Sequence, residues 1–361
     1  MDLKQIFADP RRRNLAVLAA AALVSLLLAL GALWQEARYG APAAAPEQFF
    51  PGFAGEVRNA ARIHVSSKLG TFDVVISPEK GWVVPSRGNY RASYELVQRT
   101  LVGLAALQTI EPKTARADWL HFIGLETPPQ GDAILITVSD DKGHELASLI
   151  TGKSEDIGDS TGATGLFIRR PGENQSWLAR SVLDPRGALS DWLDKKVVDI
   201  DRARIREVDV DPAGSPSYVV ARAKPEDADF TLTPVPAGKT VADAAAPDGV
   251  AAAITGFSFD DVAPARDIMD LSNPAAVARL VTKTFDGLKV TVNTQRRGAD
   301  VWASVYAEAD PAKPDAAKEA AAINARAAGW AYKLAPFKGQ LFMTTLDSLL
   351  KAPEPPAAAP R

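Results

Sequence analysis

There is no cysteine in the 361 residues. Disulfides, thiolate nucleophiles and thiolate metal ligands are therefore excluded. Histidine is nearly as scarce. His64, His121 and His144 are the three present. None pairs with another at helical ligand spacing, so no zinc motif is formed in sequence. Neither charge sign dominates, with 41 Lys and Arg against 44 Asp and Glu for a formal net charge of −3. A chain this mildly acidic lacks the basic face that nucleic acid requires. Long apolar runs are absent too, with one exception near the N-terminus.

That exception is Leu15 to Trp34, LAVLAAAALVSLLLALGALW. It carries no charge, and a helix of that length matches the roughly 30 Å hydrocarbon core of a bilayer. It is apolar on every face, which argues against a core helix. Lys4, Arg11, Arg12 and Arg13 precede it, whereas Arg38 is the nearby basic residue beyond it. This asymmetry predicts a cytoplasmic N-terminus and an exported body, anchored in a bacterial inner membrane, with Trp34 and Tyr39 at the interface. Ala43 to Ala45 offer a signal-peptidase alternative. The run exceeds the usual apolar length of a signal peptide, and Pro46 would follow the cut directly, so an uncleaved anchor is preferred.

The expected organisation is a cytoplasmic tail (1–14), a transmembrane anchor (15–35), a linker (36–56), a first α+β repeat (57–198), a second α+β repeat (199–351) and a Pro/Ala tail (352–361). The fold class is α+β with mainly antiparallel sheets. In the first repeat, Ile63 and Val65 alternate with polar residues, as in a half-buried strand. Gly81-Trp82-Val83 follows a turn. Leu96, Val97, Leu101 and Leu104 form the stripe of a helix over 93–107, with Ser93 as its N-cap. A short helix is expected over 117–122, then strands over 133–139, 145–150, 165–169 and 176–178. A helix over 185–195 carries Trp192.

The element order then begins again. Ala203-Arg204-Ile205 echoes Ala61-Arg62-Ile63, and Trp330 echoes Trp177. Leu288, Val290 and Val292 are aligned with Ile134, Ile136 and Val138. Asp286-Gly287 predicts a type I′ hairpin turn. An Ala-rich helix is expected over 315–328, and a last helix over 341–350. Two tandem units of common origin are the expectation.

Several residues carry a resemblance. They are Gly81-Trp82-Val83, the Leu-Val-x-x-Leu-x-x-Leu helix, Ile123-Gly124-Leu125-Glu126-x-Pro128, and the hairpin from Val138 through Gly143 to Ile150-Thr151-Gly152-Lys153. With the N-terminal anchor, they make the chain resemble the DUF4340-type family of membrane-anchored bacterial domains of unknown function. The resemblance implies a location and a partner, since such domains are often encoded beside ABC transporter components of the gliding-motility type. It implies no activity and no catalytic residue.

Other motifs fall short of chemistry. Thr151-Gly152-Lys153-Ser154 ends like a phosphate loop, but Ala147 stands where that loop needs glycine. Asp209-Val210-Asp211 lacks the later ligands of a calcium loop. Ser348-Leu349-Leu350-Lys351 lacks the companion motifs of penicillin-binding enzymes, and no Gly-x-Ser-x-Gly elbow is read. Asp140-Asp141 and Asp260-Asp261 could be imagined as an acid/base couple for sugar cleavage, but adjacent acids expected in turns read as solvated residues. No catalytic residue, cofactor, nucleotide or metal site is expected. The expected partners are the bilayer, through Leu15–Trp34, and an ABC permease or ATPase or other envelope proteins. The expected role is a non-enzymatic accessory subunit, with a tethered glycan- or peptide-binding module and a hydrolase whose site is assembled only in three dimensions as the alternatives. Of the seven tryptophans, Trp82 is the candidate ligand or partner contact, either as a core anchor or as a stacking platform for glycan or peptide.

Overall fold

The computed structural model describes residues 21–31 and 47–351, apart from 159 and 161. Residues 21–31 form a helix, and Leu23, Val24, Leu26, Leu27, Leu28 and Leu30 are all exposed on it. Among the described residues no helix is long and apolar enough to cross a membrane. The remainder of the apolar run, 15–20 and 32–34, lies outside the described residues, as do the tails 1–14 and 352–361.

The described part of the body starts at Glu47, within the expected linker (36–56). Phe49, Phe50 and Phe53 are buried. A charge-poor stretch with three phenylalanines gains more by packing than by spacing, because each ring removes about 150–250 Å² from water.

The first sheet contains ten strands. They are β1 (Glu47–Gln48), β2 (Arg62–Ser67), β3 (Gly70–Ser77), β4 (Gly81–Val84), β5 (Tyr90–Arg91), β6 (Gln108–Pro112), β7 (Ile134–Ser139), β8 (Glu145–Glu155), β9 (Thr164–Arg169) and β10 (Ser176–Ser181). Their spatial order is β1-β6-β10-β9-β8-β7-β2-β3-β4-β5. The second sheet draws on β11 (Ile205–Asp211), β12 (Tyr218–Ala221) and β13 (Thr231–Thr233). The chain continues through β14 (Thr240–Val241), β15 (Phe259–Pro264), β16 (Val277–Thr284), β17 (Leu288–Arg297), β18 (Asp300–Ala309), β19 (Trp330–Leu334) and β20 (Leu350–Lys351). The eight-stranded order is β13-β12-β11-β16-β17-β18-β19-β15, while β14 and β20 pair separately. The pairings are antiparallel throughout.

The order β6-β10-β9-β8-β7-β2-β3-β4 in the first sheet and β15-β19-β18-β17-β16-β11-β12-β13 in the second follow one pattern. In this pattern β16, not β17, stands where β7 does. Leu288, Val290 and Val292 on β17 therefore stand opposite the β8 position, one strand away from the expected match to Ile134, Ile136 and Val138. Alternating apolar residues recur in every hairpin arm, so the hydrophobic period alone leaves the choice of arm open. The strands β6 and β15 escape sequence reading because QTIEP and FDDVAP carry acids and proline, as edge-prone segments do.

Helix Tyr94–Ala105 forms as expected, with Ser93 accepting from the Leu96 amide at 3.3 Å. Its apolar stripe, Leu96, Val97, Leu101 and Leu104, is buried in the hydrophobic core. The Ala-rich helix Pro314–Ala327 forms too, burying Ala316, Ala320, Ile323 and Ala327. The expected helix over 185–195 is only a 3-10 turn, Leu189–Trp192. Pro185 and Gly187 break it, and Leu193 instead bridges Ala92 at the sheet edge. The last helix is also replaced, by Pro336–Phe342 and a 3-10 turn Leu346–Leu349. Between β16 and β17 the loop holds three residues, 285–287. Only Gly287 takes positive φ (94°), so the turn is not type I′, which needs positive φ at both central residues.

The two sheets share one hydrophobic core. At their junction Tyr90 meets Trp330 edge-to-face, with ring centroids 5.0 Å apart, and stands near Phe259 and Tyr332. Arg87 makes a bidentate pair with Asp261, at 2.5 and 3.0 Å. Arg326 donates to the Val197 carbonyl, and Thr255 to that of Ile200.

Candidate functional site

Trp82 lies on β4 opposite Ile76 of β3, and its carbonyl accepts from the Ala92 amide at 2.8 Å. The turn before it needs Gly81 at φ 70°, where a side chain would be strained. Trp82 is half-buried and packs against the core, and it also lines a groove of about 660 Å³. Ile76 and Tyr94 line the same groove and are exposed, 51% and 68%. Trp82 thus packs on the core and also borders the groove.

The rim is charged on both signs. Arg91 approaches Asp194 at 3.8 Å, but its Nη2 is buried without a hydrogen-bond partner. Lys80, Lys196, Glu95 and Asp191 also line the groove. Lys195 points away to the junction. Its ammonium donates to the Phe259 carbonyl at 2.5 Å and sits 4.2 Å from the ring centroid of Phe259. Burial pushes its pKa below the ordinary lysine value against the pull of Asp260, Asp191 and Asp261. Burial likewise raises the Tyr90 phenol, whose hydroxyl donates to the Asp194 carbonyl at 2.9 Å.

The groove is open and of mixed polarity. The sheet edges offer less. β1 and β5 have two residues each and β13 three, too short to template an added strand. The edge strand β15 is engaged through Asp261 with Arg87.

The motifs weighed for chemistry are placed as follows. Thr151 to Ser154 lie inside β8, not at a helix N-terminus. Asp209 and Asp211 lie in β11, and Asp209 pairs with Lys283 at 2.6 Å. Ser348 donates to the Thr345 carbonyl. Asp140 caps its own turn through the Lys142 and His144 amides. The letters Gly-x-Ser-x-Gly do occur, at 158–162, contrary to the sequence reading. They connect β8 to its antiparallel neighbour β9, not a strand to a helix, so the nucleophile-elbow geometry is missing.

One constellation was not legible in sequence. Asp73, His64, Thr137 and Ser148 occupy facing positions across β3, β2, β7 and β8. His64 Nδ1 and Asp73 Oδ1 lie 2.8 Å apart, and the Thr137 and Ser148 hydroxyls 2.7 Å apart. Among the described residues no hydrogen bond joins the two pairs. Among the described residues no cluster of His, Asp or Glu has the form of a metal site.

Of the other tryptophans, Trp192 is fully buried and Trp177 and Trp330 pack on the core. Trp119 is half exposed. Trp34 lies outside the described residues.

The architecture is thus an α+β body with two antiparallel sheets, one core and an open groove. The family model described as a domain of unknown function (DUF4340) matches residues 82–276, and the chain belongs to that family. The match opens at Trp82 and ends just before β16, so it spans the junction and coincides with neither sheet. It contains the Gly-Leu-Glu-x-Pro turn and the hairpin ending in Gly152-Lys153. No curated protein and no solved structure matches the chain.

Proposed function

We propose that the chain is a non-enzymatic subunit of the bacterial cell envelope. It is anchored in the inner membrane by Leu15–Trp34, with its body on the periplasmic side, and works as an accessory to an ABC transport complex. The observation that carries this reading is the helix over 21–31, on which Leu23, Val24, Leu26, Leu27, Leu28 and Leu30 are all exposed, six large apolar side chains within eight positions. Such a surface is costly in water and suited to lipid. Tethering raises the effective concentration of the body near a membrane partner. The groove at Trp82 is the surface offered to that partner. The matching strand orders support descent of the two units, 57–198 and 199–351, from one duplicated ancestor.

The test is purification of the full-length protein from its native membrane in mild detergent. Near-stoichiometric permease and ATPase subunits are expected to co-purify, and to be lost with Trp82→Ala combined with Tyr94→Ala. A partnerless protein from intact membranes would overturn the reading. The groove favours one alternative, a tethered glycan- or peptide-binding module. In that case a thermal shift with peptidoglycan fragments or peptides replaces the co-purifying subunits.

A further inference from the structure

A second surface stands apart from the groove. The 3-10 helix Ala117–Ile123 carries Trp119 and Phe122, exposed 50% and 64%, with ring centroids 6.5 Å apart at 84°. Neither ring belongs to the main core or to the small cluster beneath the helix, formed by Leu120, Leu125, Ala133 and Ile150.

The segment is nonetheless firmly held. Arg169, nearly fully buried, donates Nε to the Leu125 carbonyl and Nη2 to Thr127 Oγ1, both at 2.7 Å. Lys153 Nζ donates to the Phe122 carbonyl at 2.9 Å. Gly152 lies so close that a Cβ there would collide with the Ile123 carbonyl oxygen. The residues that carry the family resemblance, Gly124-Leu125 and Gly152-Lys153, are therefore packed together here. They hold two aromatic rings outward.

The route of the chain indicates what the rings meet. β1 runs antiparallel to β6, with Glu47 opposite Thr109 and Gln48 opposite Gln108. The chain thus enters the body from the Lys113 side of β6, the side from which residues 113–116 lead into the aromatic helix. Fifteen residues, 32–46, separate helix 21–31 from β1. A single tether of that length, at most roughly 50 Å when extended, leaves the orientation of the body open.

Two rings expose too little area for a stable protein interface, which buries about 1,200 Å² or more. They suit the bilayer interface, where tryptophan concentrates. Arg116, paired with Asp118 at 2.6 Å, lies 5.1 Å from the Trp119 ring and adds its long apolar stem beside the two aromatic rings.

We propose that Trp119 and Phe122 insert into the interface of the bilayer that holds the anchor, and so fix how the body faces the membrane. This rests on the anchored reading above.

The absence of native cysteine allows single-site labelling of the full chain in phosphatidylethanolamine/phosphatidylglycerol nanodiscs. An environment-sensitive fluorophore is placed at His121→Cys, Leu26→Cys or Tyr306→Cys, and lipid-borne quenchers are added. Strong quenching is expected at 26 and 121, and little at 306, which lies on the second sheet. Adding Trp119→Ser and Phe122→Ser to His121→Cys should reduce the quenching at 121 about fivefold or more, as expected when interfacial aromatics are removed. Quenching at 26 without quenching at 121 overturns this proposal and leaves the anchor standing. No quenching at 26 overturns the anchor itself. Protection at 121 that needs native membrane proteins, and is absent in pure lipid, assigns the rings to a protein partner and overturns the lipid assignment.

Discussion

Truncating Tyr90 to alanine should convert the unfolding of the body from one transition into two. Tyr90 is 1% exposed and comes from the first sheet, yet its aromatic neighbours Trp330, Phe259 and Tyr332 belong to the second. Removing a buried aromatic side chain costs about 3–5 kcal/mol, as transfer plus the residual cavity. The hydroxyl, bonded to the Asp194 carbonyl, accounts for about 1 kcal/mol of that. The remainder falls on the junction rather than on either sheet alone. Against a whole-domain stability of about 5–15 kcal/mol, this is enough to uncouple two units that otherwise unfold together. The assay is urea unfolding of the full-length protein in mild detergent, followed by far-UV circular dichroism and tryptophan fluorescence. The wild type should give coincident curves. Tyr90→Phe should lower the midpoint slightly and keep them coincident, and Tyr90→Ala should separate them. Two transitions already present in the wild type, or a Tyr90→Ala cost no larger than that of Tyr90→Phe, would refute the reasoning.

Three further outcomes are expected. Gly152→Ala should cost about 1–3 kcal/mol by overpacking, because the new Cβ would meet the Ile123 and Gly124 carbonyls, the latter at 2.9 Å. Hydrogen exchange at 120–127 should accelerate more than in β7. Arg169→Met should cost about 3 kcal/mol in chemical unfolding by leaving the Leu125 carbonyl without its charged donor, and Arg169→Lys should recover little of it, lacking the guanidinium fork. The third concerns acid. The hydrogen bond from Lys283 holds the Glu207 carboxyl below its ordinary value, against partial burial. A depressed folded pKa adds stability that is present above the unfolded value and lost as pH falls through the folded one. Glu207→Gln should therefore flatten the decline of the thermal midpoint below about pH 4.5, and an unchanged acid limb would count against this pair.

The sequence alone reached the alternation of Ile63 with Val65, the Leu96–Leu104 stripe and the hairpin around Gly287, because these depend on neighbours within one or two turns of chain. It also reached the family, through the Gly-Leu-Glu-x-Pro turn and the Gly152-Lys153 strand. It did not reach the strands β6 and β15, whose polar residues and prolines are explained by their position at or near a sheet edge. It could not place Phe49, Phe50 and Phe53 in the body, because the Pro/Ala composition before them reads as a spacer. Trp82 was singled out as a residue, but the groove around it needs Ile76, Tyr94 and Arg91, which the turns bring together.

What the sequence determined by itself is local: an α+β chain of alternating strands, no cysteine for thiol chemistry, and one apolar run unlike the rest. What only the tertiary structure decided is which strands are neighbours and which faces meet. Strand order, the Tyr90–Trp330 junction, the Asp73–His64 row and the outward setting of Trp119 and Phe122 depend on pairings between residues up to some 240 positions apart. A hydrophobic period specifies that a face is buried, but not against what. That choice is made by the packing of the whole chain, through the strand edges, the glycines that admit close approach and the hydrogen bonds of buried side chains such as Arg169.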